Sequence, residues 1–253
     1  MSDIPANNPI RNGPANYRSL DAAEIIHTAR RLSARITERF PHSKLSKVAI
    51  TLYEESIEAA TTSQWLAKPM RAMQIFTGLV VAGLLLLVAT TLGFIKGNYL
   101  LFSSLADLMQ GLDAAVNEII MFGIATFFLL NIETRLKRRR ALQALHALRS
   151  LAHIIDLHQL TKDPGRIRTQ HADTPSSPKR DLSVFETTRY LDYCSEMLSI
   201  TGKIAALYVQ DFDDPVTLAA VDEIQNLTVG LTHTIWQKIT IQGQDTNAAQ
   251  ATG

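Results

Sequence analysis

Two apolar runs stand out from a chain whose other positions alternate apolar and polar residues with a helical period. The first, 73–95, reads MQIFTGLVVAGLLLLVATTLGFI and carries no charge. As a helix rising about 1.5 Å per residue it spans ~34 Å, enough to cross a hydrocarbon core of about 30 Å. The second, 114–132, reads AAVNEIIMFGIATFFLLNI. With a short loop at 96–113 between them, the runs predict a two-span transmembrane helical hairpin.

Elsewhere the apolar spacing is three and four, the period of amphipathic helices. Ile25, Ala29, Leu32 and Ile36 predict a helix from about Leu20 to Phe40, opened by the capping box of Asp21 and Glu24 and closed by Pro41. Leu45, Val48, Leu52 and Ala59 predict a second, from about Ser43 to Leu66, with Trp65 near its end and Pro69 breaking the chain before the first run. No proline falls between 114 and 160, so the second span is expected to continue unbroken out of the membrane, burying Leu145, Leu148, Ala152 and Ile155 on one face. Asp163-Pro164-Gly165 ends it. Ser183 and Glu186 form another capping box, opening a helix that carries Tyr190, Cys194, Met197, Ile204 and Tyr208. Asp214-Pro215 is a cap and first-turn pair for a last helix with Ala220, Ile224, Leu227, Leu231 and Ile235.

The expected fold is therefore all-α: a transmembrane hairpin with a cytoplasmic helical bundle built from the N- and C-terminal helices. Its parts are a disordered N-terminus (1–18), a helical hairpin (19–68), the spans (73–95 and 114–132) with their loop (96–113), an extension of the second span (133–163), a flexible linker (164–182), a C-terminal helical hairpin (183–242) and a disordered tail (243–253).

Charge orients this arrangement. The net charge of +1 averages over separated regions, but the membrane flanks differ sharply. Lys68 and Arg71 precede the first span, and Arg135, Lys137, Arg138, Arg139 and Arg140 follow the second, against Lys96 alone in the loop. Basic flanks stay in the cytoplasm, so a multi-pass protein of the inner membrane with both termini cytoplasmic is expected. The five residues after the second span read as a topology anchor that meets anionic headgroups of the lipid bilayer, and no nucleic-acid partner is expected. The single cysteine, Cys194, allows no internal disulfide, and the first residues lack the apolar core of a signal peptide.

Candidate chemistry is sparse. His146, Ser150, His153 and Leu157 fall near one line opposite the apolar face of the long helix. His146 and His153 are two turns apart, about 10 Å, too far to share a metal ion. His153 and Asp156 are one turn apart and are the candidate metal ligands, lacking a third donor; His158 points away. The bland reading, histidines meeting neighbours or water, is favoured. Glu118 and Asn117 enter the second apolar run, where a carboxylate is expensive and faces protein or water. They are the candidate polar membrane site, weighed against simple snorkelling to the interface. Gly78, Gly83 and Thr90 form no GxxxG pattern. Asp211, Asp213 and Asp214 lack the pattern of a calcium loop. No catalytic residue, cofactor or phosphate-binding loop is indicated.

The layout of cytoplasmic helices, two-span hairpin and further cytoplasmic helices resembles the two-span effector domains of bacterial conflict systems, and that resemblance implies pore formation. The residues themselves point first to a non-enzymatic membrane-tethered scaffold or sensor, with a cytoplasmic protein partner and self-association to homo-oligomers expected. An oligomeric ion-conducting pore is the first alternative, and a membrane-bound metal-dependent enzyme using the region from His146 to His158 is the second.

Overall fold

The structure is a computed structural model that describes residues 19–97, 105–160, 162, 175 and 182–251. The segments expected to be disordered at 1–18 and flexible through most of 164–182 lie outside the described residues. The described chain is all-helical, without a strand. Its helices are α1 (Ala22–Arg39), α2 (Lys44–Ala67), α3 (Arg71–Gly97), α4 (Leu105–Leu160), α5 (Val184–Leu207) and α6 (Pro215–Ala251).

The boundaries follow local chemistry. The Asp21 carboxylate accepts from the Ala23 amide at 2.8 Å and starts α1. Pro41 and His42, the latter at φ 63°, turn the chain into α2, which Ser43 caps through the Ser46 amide. The capping box of Ser183 and Glu186 forms at α5 with both reciprocal bonds made. Two elements run longer than the sequence suggests. α4 begins at Leu105, inside the expected loop, because LADLMQGLD offers no proline to stop it. α6 continues to Ala251, past the expected end at 242, through a stretch rich in alanine and glutamine.

α5 is the centre of the packed region. It buries Tyr190, Leu191, Cys194, Met197, Leu198, Ile204 and Ala205, residues that point to several sides of the helix. Around it α1 packs on α2, α2 on α4, and α4 on α6, making an open ring in which each helix also touches α5. α1 runs antiparallel to α5, shown by the Leu20 amide donating to Gln210 at one end and Arg35 pairing with Glu196 nearer the other. Phe40 closes the far end edge-on against Tyr190 and Tyr193. Core burial dominates this assembly. A fully buried Leu, Ile or Met contributes about 1.5–3 kcal/mol, whereas a surface pair such as Arg35–Glu196 contributes about 0–1 kcal/mol.

α4 has two characters. From Ala141 on it buries Ala141, Leu145, Leu148, Ala152 and Ile155 at the expected spacing, while Met121, Phe127 and Leu130 stand exposed on its first half. α3 exposes Ile75, Leu79 and Leu86 likewise. Two helices are thus long and apolar enough to cross a membrane. α3 and α4 pack on each other as a hairpin.

Candidate functional site

The densest polar geometry lies where the hairpin meets the packed helices. Glu133, the first charge after the second apolar run, accepts from the Met70 amide at 3.0 Å, just before α3 starts. Its carboxylate also holds Lys137, one turn on, at 2.9 Å, and Lys137 is buried by this arrangement. One turn of α4 therefore fixes the base of both apolar helices.

Arg138 reaches the opposite way. Its Nε donates to both Asp214 oxygens at 3.0 Å, and its Nη2 donates to Oδ1 at 2.6 Å. Asp214 is the cap of α6: its Oδ2 accepts from the Thr217 amide at 2.9 Å and the Thr217 hydroxyl at 2.8 Å. The Asp214 side chain is 1% exposed and that of Arg138 is 34% exposed. Burial pushes the Asp214 carboxyl up, but Arg138 and the two Thr217 donors outweigh it and hold it below the usual carboxylate range. Asp214 thus joins α6 to α4 about one turn beyond Glu133.

The remaining members of the basic run divide between protein and solvent. The Arg140 guanidinium lies 4.7 Å over the Trp65 ring at the end of α2. That of Arg135 turns back over Phe128 at 5.4 Å. Arg139 is exposed and makes no ion pair among the described residues. Three of the five residues expected as a headgroup anchor, Lys137, Arg138 and Arg140, thus meet Glu133, Asp214 and Trp65, and with Glu133 they form a knot that ties α2, α6 and the start of α3 to α4. Glu133 and Thr217 belong to this knot and carried no signal in the sequence beyond Glu133 bordering the apolar run.

The other expected positions fall elsewhere. In the hairpin the half-buried α4 positions recur at Glu118, Phe122, Thr126, Leu129 and Glu133, and Glu133 marks this stripe as the one facing α3. Glu118 is therefore turned toward α3, with Asn117 exposed beside it. His146 and His153 are exposed, in line with Ser150, whose hydroxyl donates to the His146 carbonyl at 3.0 Å. The Asp156 carboxylate accepts from Gln159 at 2.6 Å, and Gln159 Oε1 accepts from Lys238 of α6 at 2.5 Å. That chain uses Asp156 to dock α6. Among the described residues no group of three or more His, Cys, Asp or Glu is placed to hold a metal ion. Cys194 is fully buried, and burial pushes its thiol up to about 12, so it stays a protonated, inert core residue.

His158 is half-buried beside α2, and burial first, then the Lys44 charge, lowers its pKa from the ordinary 6.5. The unfolded chain therefore binds this proton more readily than the folded one. Stability from this end of the bundle is full above about pH 6.5 and is lost as pH falls through the folded value. The protection of amides near the start of α2 and the end of α4, after correction for the intrinsic slowing of exchange in acid, is expected to fall on going from pH 7.5 to 5.5, and His158→Gln is expected to remove the step. An unchanged step in that variant assigns it to another group.

No family model matches the chain, and neither a curated protein nor a solved structure is similar to it.

Proposed function

We propose that the chain is a membrane-tethered, non-enzymatic relay: a scaffold whose cytoplasmic bundle senses or transmits displacement of a two-span hairpin. The observation that carries this reading is α4. One uninterrupted helix of 56 residues exposes apolar side chains over its first half and supplies a wall of the packed core with its second. At about 1.5 Å per residue it is a rod of ~84 Å. The knot at Glu133, Arg138 and Asp214 sits at the change of character, so a tilt of the hairpin moves α6 directly. Helices tilt to match bilayer thickness, which gives a controlled input.

The test is reconstitution of the full chain in bilayers of short and long acyl chains, reading amide exchange at Thr217 and Leu218. Exchange that shifts with thickness supports the relay; identical protection in every bilayer rejects it. Orientation is checked separately. The inert Cys194 allows single cysteines to be introduced into the natural chain, and an impermeant thiol reagent applied from outside cells is expected to label Ser104→Cys and not Ser176→Cys. The reverse pattern overturns the proposed topology.

The pore is the second reading. Asn117 is exposed beside Glu118, which faces α3, and an association of copies that admits water between α3 and α4 would relieve the cost of the carboxylate. Cation flux through liposomes whose selectivity changes with Glu118→Gln would place it above the relay.

A further inference from the structure

Charge disappears from the outward face of the last helix. Residues 224–237 read IQNLTVGLTHTIWQ, without an Asp, Glu, Lys or Arg. The next cation, Lys238, turns inward to Gln159 of α4. α1, by contrast, exposes Glu24, Arg30, Arg31 and Arg35 to solvent. On α6 the exposed residues Asn226, Val229, His233, Trp236 and Thr240 recur at spacings of three and four, so they form one stripe along the helix. Val229 is 59% exposed and Trp236 56%. Gly230, beside the stripe, has open space where a side chain would stand, so another backbone can come close. The Thr240 hydroxyl donates to the Trp236 carbonyl at 2.9 Å and brings no unmet donor to this face. Depletion of charge around an exposed aromatic is what marks the core of a protein interface.

We infer that this stripe is the contact between two copies of the chain, α6 against α6, about a two-fold axis along the membrane normal. Orientation carries the argument. α6 runs parallel to α4, tied to it in step by Arg138 with Asp214, Arg149 with Glu223 and Gln159 with Lys238. α4 in turn continues the second apolar run without a break. Copies held in one bilayer by this hairpin share one orientation, so a two-fold between them lies along the normal. Their α6 helices then run parallel at equal height, and each stripe residue meets its own counterpart, as an isologous contact requires. A charged residue would there face its like, at a cost; an uncharged one does not. Asp222 continues the same line toward the membrane and sets the lower limit of the contact, because two carboxylates on the axis repel. From Asn226 to Thr240 the seam is about 21 Å of helix. A single helix pair of that length makes a small interface, in the weak class below about 1,200 Å². The shared bilayer offsets this by confining both copies to one plane and one orientation, which raises their effective concentration. The inference rests on the membrane tether proposed above and is independent of the relay.

The experiment uses the full chain in liposomes, where the buried Cys194 stays inert. Oxidative cross-linking is expected to join copies through His233→Cys and Val229→Cys. Thr234→Cys, exposed on the flank of α6, is the control and is expected to give no dimer. Two differently tagged forms are then co-purified from mixed liposomes. His233→Glu in both forms, and His233→Lys in both, are each expected to lower recovery about tenfold or more, because like charges meet on the axis. His233→Glu in one form with His233→Lys in the other is expected to restore it. Position 233 is exposed, so neither change disturbs the packed core. Equal cross-linking at 234, no loss in the like-charged pairs, or a loss that the mixed pair does not restore overturns the inference. So does stronger cross-linking through Lys203→Cys, which assigns the contact to the groove lined by α1, α5 and α6. Thiol labelling from outside cells reads the tether separately. The expected labelling of Ser104→Cys without contact at 233 rejects the dimer alone, whereas reversed labelling rejects the tether first.

Discussion

Asp214→Ala is expected to destabilise the packed helices by about 3 kcal/mol, far more than loss of any surface ion pair. The change removes the cap of α6, a loss of about 1 kcal/mol in itself. It also strands the buried Thr217 hydroxyl without its acceptor, at about 1–3 kcal/mol for a buried group left unpaired. Arg138, being partly exposed, can turn to water, so its own loss adds little. Arg138→Ala leaves the opposite problem, a carboxylate 1% exposed with no cation beside it. The two changes share one interaction, and the double variant is expected to be less unstable than the sum of the singles. Acid reports the same pair. Because the folded carboxyl titrates below its ordinary value of 3.8, the unfolded state takes the proton first. The stabilisation is complete above the ordinary value and is lost as pH falls through the folded one. Denaturant unfolding of the purified chain at pH 7 and pH 3 measures both effects. Additive single-variant losses, or no acid dependence of the kind that Asp214→Ala abolishes, would show that the carboxylate is not held as described.

The helices were legible because their period is local. Ile25, Ala29, Leu32 and Ile36 fix the inner face of α1 wherever the helix ends up, and all four are buried. Caps were legible for the same reason: Ser183 and Glu186 need only each other, and the box forms. The junction was not. Asp214 followed by Pro215 announces a helix start, but nothing near it in sequence announces Arg138, 76 residues away. The basic run after the second span is equally ambiguous on its own. Charge counting predicts which side of a membrane it favours, whereas its individual partners depend on the rotation of α4. That rotation turns Arg138 toward α6 and Arg140 toward Trp65, and leaves Arg139 in solvent. Glu118 shows the same limit. Sequence places it inside an apolar run, but only the α3–α4 packing shows which way it faces. The central position of α5 was also hidden, because its apolar stripe shows which side is buried but not that four other helices pack on it.

Gln143→Pro is expected to separate the two halves of the molecule. Gln143 is exposed on α4, between Arg140 and the first buried leucine, Leu145. Its side chain contributes nothing to the core, so any large effect must come through the backbone. A proline there removes one helical hydrogen bond and clashes with the carbonyl one turn earlier, costing about 3 kcal/mol or more and bending the rod. The bend falls after Arg138, so the hairpin stays tied to the start of α6 while Leu145, Leu148, Ala152 and Ile155 lose their registration against α5 and α6. Membrane insertion is expected to be unchanged, because both apolar runs precede the substitution. Unfolding of the packed helices is expected at lower denaturant, whereas amide exchange at Thr217, still tied to the hairpin through Arg138 and Asp214, is expected to keep its dependence on bilayer thickness. Gln143→Ala, which keeps the helix straight, is the control and should match the natural chain in all three measurements. A proline variant that loses the thickness response would mean that displacement reaches α6 along the second half of α4 rather than through Arg138 and Asp214, and the relay would then have to be redrawn on that segment.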